Sequence, residues 1–153
     1  MADREGITGA LTYDPGADAA RRHPGWVIRH RNLLGVPEVM CPKRQVILIE
    51  HTADRGERRC NLAHAVAHID LGHEASPNGH ISHRQEVAAD RLAARRLIDV
   101  RHLADTIMWA DSFEEMCSEL DVDRRMLFVR MKYLHPAERG LVVGHIDEKL
   151  LSA

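Results

Sequence analysis

Two short stretches in the first third of the chain have the hydrophobic pattern of β-strands. GWVIRHR (25–31) shows the two-residue alternation of a strand. RQVILIEH (44–51) is a continuous β-branched run, which indicates a strand with much of both faces covered. Between them, Gly35 and Pro37 mark a turn-rich link in which EVM (38–40) can add a short strand. The pattern predicts a small, mostly antiparallel sheet.

After this sheet the apolar residues take the three-and-four spacing of helices. Asp54 and Glu57 are placed as a capping box, in which each end of the pair satisfies a free backbone N–H of the other. A helix is therefore predicted over residues 55–73. Its apolar stripe is predicted to contain Leu62, Val66 and Ile69.

Three further helices are predicted downstream. Ser82 and Gln85 form a second capping pair, and the apolar pattern carries that helix on through residue 107. A third helix is predicted to begin at Ser112, and a fourth covers RRMLFVRMKYL (124–134). The buried side of the second of the four helices is predicted to be Ala89, Leu92, Ala93 and Leu97.

Composition restricts the classes of protein to consider. The chain has 153 residues and a net charge of −2, which gives no general attraction for nucleic acid or an anionic membrane. The first twenty residues lack the apolar core of a signal peptide, and no apolar run is long enough to span a bilayer. Three widely spaced cysteines favour neither a disulfide framework nor a cysteine-based zinc site. We therefore expect a cytoplasmic protein.

The chemistry-bearing pattern is a pair of histidines followed by a pair of carboxylates. His64 and His68 are four residues apart on a predicted helix, so both imidazoles lie on one face, as in half of a zinc-protease motif. Glu86 stands near the start of the next helix and offers a third ligand. Asp90, one turn further, is placed to hold the outer N–H of a histidine. The predicted centre is His₂Glu with an open position, the arrangement of a catalytic zinc ion.

Two plainer explanations compete with this metal site. A histidine pair at this spacing also arises by chance on a histidine-rich helix, and the chain has 11 histidines. The two carboxylates could instead be neutralised by Arg91, Arg95 or Arg96. We favour the metal site, since unpaired carboxylates on an Ala- and Leu-rich surface are costly. Manganese, cobalt or nickel would suit the same ligands as zinc.

Two segments together resemble the ImmA/IrrE family of metallopeptidases. They are ERRCNLAHAVAHIDLGH (57–73) and QEVAADRLAARRLI (85–98), and VILIEH (46–51) resembles the strand that precedes them in the family. The resemblance extends over roughly residues 25–135. It implies a zinc endopeptidase that cleaves a helix-turn-helix repressor, in phage or mobile-element immunity or in DNA-damage responses.

The same resemblance makes Ala65 the notable position. In the family's H-E-x-x-H motif the glutamate after the first histidine is the general base, and this chain has alanine there. The chain is therefore expected to bind zinc but to be catalytically inactive. Ala65 is either an engineered change that traps an inactive protease, which we favour, or a natural feature of a pseudo-protease. Glu74 lies past the motif and is a poor substitute base.

The fold class implied is α+β, with a small antiparallel sheet packed on a zincin-like helical core and a C-terminal helix-turn-helix-like pair. We divide the chain into a loose or partly helical lead-in (1–24), a metallopeptidase core (25–110) and a C-terminal helical module packed on the core (111–153). The module carries acidic residues beside its basic ones, so we expect it to have a structural or partner-docking role and not to bind nucleic acid directly. A regulator that acts by contact, as a pseudo-protease or by binding DNA, remains the alternative function. Further histidines that could line the cleft are His73, His80, His83 and His135.

Overall fold

The chain folds as an α+β protein in which a small sheet lies beside a larger group of helices. The structure, a computed structural model, describes residues 12–153. The part of the lead-in before residue 12 lies outside the described residues. The described part contains three strands, β1 (Val27–Arg31), β2 (Glu38–Cys41) and β3 (Val46–Glu50). Its seven helices are α1 (Pro15–Arg22), α2 (Arg55–Asp70), α3 (His83–Leu97), α4 (Val100–Trp109), α5 (Phe113–Leu120), α6 (Arg124–Lys132) and α7 (Pro136–Leu151).

The sheet is mixed, so the prediction of a mostly antiparallel sheet is wrong for one of its two pairings. The strand order is β1-β3-β2. β2 and β3 form an antiparallel pair around the short 3-10 turn Pro42–Arg44, whereas β1 pairs with β3 in parallel. After β1 the chain passes to the position of β2, and the following strand, β3, then lies between β1 and β2. β2 is thereby an edge strand.

The sheet packs on α2 through a small apolar cluster. Ile47 and Ile49 of β3 are fully buried against Ala65 of α2. A second, larger core contains side chains from α2 to α6, so the C-terminal helices share a core with the helices that precede them. The predicted domain boundaries stay a prediction, and α1 supplies the helical part of the lead-in.

The capping box at the start of α2 is confirmed, and the end of that helix is set by a glycine. Asp54 accepts from the Glu57 N–H, and the Glu57 carboxylate accepts from the Asp54 N–H. Gly72 has φ of +63°, a conformation that costs glycine little. Its N–H donates to Ile69 O and that of His73 donates to His68 O, which is the Schellman arrangement. The helix therefore ends at Asp70, three residues earlier than predicted.

The predicted second helix is two helices. The box of Ser82 and Gln85 starts α3 as expected, but α3 ends at Leu97. Ile98 is extended, and Asp99 caps α4 by accepting from the N–H groups of Arg101 and His102. Ile98 is fully buried at this corner. The continuous prediction through residue 107 is wrong because the apolar pattern continues across a break made by the capping Asp99.

The C-terminal region holds the predicted third and fourth helices and one helix that was not predicted. Ser112 caps α5 through Glu115 N–H, and Asp123 caps α6. The unpredicted α7 contains two glycines and only one buried side chain, Val142, so its pattern is weak. Among the helices of residues 12–153, none is long and apolar enough to cross a membrane.

Candidate metal centre

The centre begins with the two histidines of α2. Their positions, four residues apart, put both rings on the side of α2 that faces α3. His64 and His68 are only 2% and 4% exposed. Their Nε2 atoms lie 2.9 Å apart. Zinc–nitrogen bonds of about 2.0–2.1 Å at a tetrahedral angle would place two nitrogens roughly 3.3 Å apart, which is close to this spacing.

Glu86 completes the set from the first turn of α3. Its Oε2 lies 3.0 Å from His64 Nε2, and its Oε1 lies 3.6 Å from His68 Nε2. The three ligand atoms all lie within 4.8 Å of one another. The predicted convergence of these three side chains is confirmed as geometry. The Glu86 side chain is 41% exposed, so the group is reached by solvent from that side.

A second layer of groups contacts the other nitrogen of each histidine. His64 Nδ1 lies 2.8 Å from Asp90 Oδ1, as expected from the position of Asp90 one turn beyond Glu86, although the angle is not that of a regular hydrogen bond. His68 Nδ1 lies 2.9 Å from the Nδ1 of His73. Asp90 and His73 therefore lie against the two Nδ1 atoms, and both Nε2 atoms point at the shared centre.

The glycine turn after α2 explains the position of His73. This histidine is one of those that the sequence offered as lining the cleft. The Schellman turn at Gly72 folds the chain back, so that His73 donates its backbone N–H to His68 O and sets its ring against the His68 ring. Gly72 is the signal in the sequence for this turn, and a glycine permits such a turn without requiring it.

Asp90 is not neutralised by the nearby arginines of its own helix. Arg91 lies over the Tyr133 ring, and Arg96 binds Asp70. The cation nearest to Asp90 is Arg125 of α6, at 3.4 Å. Among the described residues, no ion pair joins Arg91, Arg95 or Arg96 to Glu86 or Asp90. The alternative in which these arginines neutralise the two carboxylates is therefore wrong.

The sequence analysis did not predict a third carboxylate at the site, that of Glu38. Its Oε1 lies 3.7 Å from His64 Nε2, and its Oε2 is buried without a hydrogen-bond partner among the residues described. Glu38 and Met40 share one face of β2, and Met40 packs in the same cluster as Ala65. The alternation along EVMC thus predicts which way Glu38 faces, but only the sheet topology shows that α2 lies there.

Burial and neighbouring charges shift the pKa values of the site residues in opposite directions. Burial lowers the pKa of His64, but the Asp90 and Glu38 carboxylates outweigh burial and leave it raised. Burial and the neighbouring His64 lower the pKa of His68. Burial raises the pKa of Glu38. Burial also opposes ionisation of Asp90, yet its contacts with His64 and Arg125 leave its pKa lowered.

The residues present fit a divalent cation. Three carboxylates (Glu38, Glu86 and Asp90) surround two imidazoles, and Arg125 is the only guanidinium paired with any of them in the described part of the chain. A buried carboxylate oxygen without a partner is costly unless a cation compensates it. Imidazole and carboxylate donors suit zinc and also manganese, cobalt or nickel, so the ligand set does not select one of them.

Ala65 is part of the packing between helix and sheet. It is 2% exposed and lies in the apolar cluster with Ile47 and Ile49. Its methyl group offers no proton acceptor. The residue after the first histidine ligand is therefore part of the hydrophobic core.

The remaining histidines do not gather at this centre. His80 and His83 are exposed, in the loop before α3 and at its first position. His135 caps α7 by accepting from the Ala137 N–H, and lines a separate cleft of about 720 Å³ between α3, α6 and α7. None of the three ligand residues lines that cleft. His135 thus lines a different cleft, and a role for it beside the metal stays a prediction.

Comparison of the chain with protein-family models, curated proteins and solved structures found no match. The resemblance to ImmA/IrrE proteases therefore stays a prediction. The inference of a metal centre therefore comes from the geometry of His64, His68 and Glu86 and not from any relative.

Proposed function

We propose that this chain has the architecture of a zinc-dependent endopeptidase of the ImmA/IrrE type, whose substrate is a helix-turn-helix repressor. The observation that carries the proposal is the convergence of His64, His68 and Glu86, with Asp90 behind His64. Two histidines and one glutamate are a ligand set of catalytic zinc sites. Zinc bound there would polarise a carbonyl group and lower the pKa of a water molecule.

The position of β2 supports a peptide as the substrate class. β2 pairs with β3 on one side only, and it lies beside the histidines because Glu38, its first residue, reaches His64. The outer edge of such a strand offers N–H and C=O groups to an extended peptide. A segment added there would pass close to the metal centre. In this proposal the sheet, α2 and α3 form a zincin-like core, and α5 and α6 form a helix-turn-helix-like pair that docks partners.

The chain itself is proposed to be inactive or nearly so. A carboxylate that takes and returns a proton contributes a large part of the rate in metal-assisted hydrolysis, and alanine cannot do this. The ligands are intact, so binding of zinc and of substrate would survive the loss. An engineered Glu-to-Ala change would produce this combination.

The test is to introduce the missing carboxylate. Ala65→Glu is incubated with a panel of helix-turn-helix repressors, with Ala65→Gln as the matched control, because glutamine has the same size without the charge. We expect new fragments with the Glu variant that disappear when a chelator is added, and none with the Gln variant. Zinc binding without cleavage by a folded Ala65→Glu protein, across a broad panel, would contradict the proposal.

A second candidate is a natural pseudo-protease that regulates by contact. The observation that favours it is the burial of Ala65 among Ile47 and Ile49, where an alanine fits and a carboxylate would need room. Under this candidate Ala65→Glu destabilises the fold. Thermal unfolding of the Glu and Gln variants, measured beside the cleavage assay, separates the two.

A further inference from the structure

Glu38 has a carboxylate whose position the proposed ligand set does not explain. Its Oε2 is buried and has no hydrogen-bond partner in residues 12–153. Its Oε1 faces His64 Nε2, the nitrogen of the ring that points at the metal centre, at 3.7 Å. Only 18% of the side chain is exposed, so water does little to compensate the charge. The ionised form of a carboxylate buried this far is costly unless a cation lies beside it.

The sheet fixes Glu38 in this place. Glu38 is paired with Ile49 of β3, and Ile49 is fully buried against α2. Met40, on the same face of β2, packs in that cluster as well. The backbone of β2 is thus held against the helix that bears both histidines, and the Glu38 side chain is directed at them by strand alternation.

The charge balance indicates what the missing partner is. Asp90 already has Arg125 and His64 beside it. Glu38 and Glu86 are left with two imidazoles between them. One divalent cation would neutralise these two carboxylates.

We propose that Glu38 is a fourth ligand of the metal centre, supplied by the edge strand. This inference rests on the metal centre of the proposed function. Glu38 is outside the set of groups whose ligand atoms all lie within 4.8 Å of one another, so its carboxylate moves toward the other three when it binds. Rotation of its flexible side chain accomplishes this while β2 stays in place.

A fourth protein ligand changes the character of the centre. Four protein ligands close a tetrahedral site, whereas catalytic zinc keeps one position free. The ion would then join β2 to α2 and α3 and hold the edge of the sheet. Glu38 would have to leave the ion before a water molecule or a substrate carbonyl group could bind there, as the proposed hydrolysis requires.

The test uses the full chain, Glu38→Gln and Glu148→Gln. The glutamine at 38 keeps the size of the side chain and removes its charge; Glu148 is an exposed residue of α7 and serves as the matched control. Zinc affinity is measured by competition with a chromophoric chelator. Each protein is also loaded with Co²⁺, and its visible spectrum is recorded with and without azide, an anion that occupies a free metal position.

We expect Glu38→Gln to bind zinc about tenfold or more weakly, on the scale known for groups that surround a metal, and Glu148→Gln to match the unaltered chain. Azide should change the Co²⁺ spectrum of Glu38→Gln and leave that of the unaltered chain as it was. A smaller loss of affinity, or an equal azide response in both proteins, overturns the inference while the metal centre stands. Failure of the unaltered chain to bind zinc or Co²⁺ overturns the metal centre and the inference together.

Discussion

The Nε2 atoms of His64 and His68 lie 2.9 Å apart, and the Nδ1 atom of each ring is held from behind, by Asp90 and by His73. Two buried ring nitrogens at this distance must share either a proton or an ion. The backing groups fix which nitrogen of each ring faces inward. Glu86 then supplies a carboxylate to the same point.

Replacing Asp90 should weaken metal binding without removing a ligand. Asp90→Asn takes away the negative charge beside His64 Nδ1, so the ring becomes a poorer ligand and is less firmly oriented. We expect zinc affinity to fall roughly 10- to 100-fold. Chelator competition measures this, with Asp147→Asn on the exposed face of α7 as control. Equal affinities for the two variants would show that Asp90 does not support His64.

Zinc should stabilise the fold, because the ligands come from different helices. Zinc at about a hundred times its dissociation constant would add roughly 2.7 kcal/mol to the free energy of unfolding. For a chain of this size the melting temperature would rise by about 5–10 °C. Differential scanning fluorimetry of the unaltered chain and of His68→Ala tests this. The same rise in His68→Ala would place the bound zinc elsewhere.

Asp70 should make stability depend on acid pH. It accepts from Arg22 of α1 and from Arg96 of α3, and His23 lies 2.6 Å away, so it joins α1 and α3 to the end of α2. Burial opposes ionisation, but these contacts lower its pKa from 3.8 to about 2. A carboxylate with a lowered pKa stabilises the fold at pH values above its ordinary pKa. That contribution is lost as pH falls from about 4 to about 2.

The measurement is denaturant unfolding of the unaltered chain and of Asp70→Asn at several pH values. At pH 6 we expect the unaltered chain to be more stable by about 2 kcal/mol, the free energy that corresponds to the shift. The difference should shrink toward pH 2. A difference that stays constant with pH would mean that the charge of Asp70 contributes nothing.

Glu138 should hold α7 in place. Its two oxygens accept from the Nη1 and Nη2 atoms of Arg130 at 3.0 and 2.8 Å, and Arg130 is only 4% exposed. Arg130 lowers the pKa of Glu138 to about 2. Glu138→Gln would leave the buried guanidinium without its counter-charge, at a cost of roughly 3 kcal/mol. Hydrogen exchange should show earlier opening of α7, and Glu148→Gln should not.

The helix starts could be predicted because a cap is a local signal. Asp54, Ser82 and Ser112 each accept from an N–H three residues on, as their spacing indicates. The cap at Asp99 was not predicted, because an aspartate within a helical apolar pattern also fits an exposed position of one continuous helix. The parallel pairing of β1 with β3 was missed because no short-range pattern specifies it.

The site residues also fall into those that local spacing predicts and those that it does not. His64, His68, Glu86 and Asp90 could be proposed from helical spacing, which fixes the face on which a side chain lies. Glu38 could not, since its contact with His64 is made through the sheet, and the sheet topology was not predictable. His73 was placed by the left-handed Gly72, a conformation that the sequence permits but does not require.

The most direct test of the account is the metal content of the purified chain. The protein is prepared without chelator or nickel resin, dialysed against metal-free buffer and analysed by mass spectrometry for transition metals, with a His64→Ala, His68→Ala double variant prepared in parallel. We expect about one zinc or other divalent ion per unaltered chain and none in the double variant. An unaltered chain that retains no ion and takes up none from micromolar zinc would contradict the metal centre.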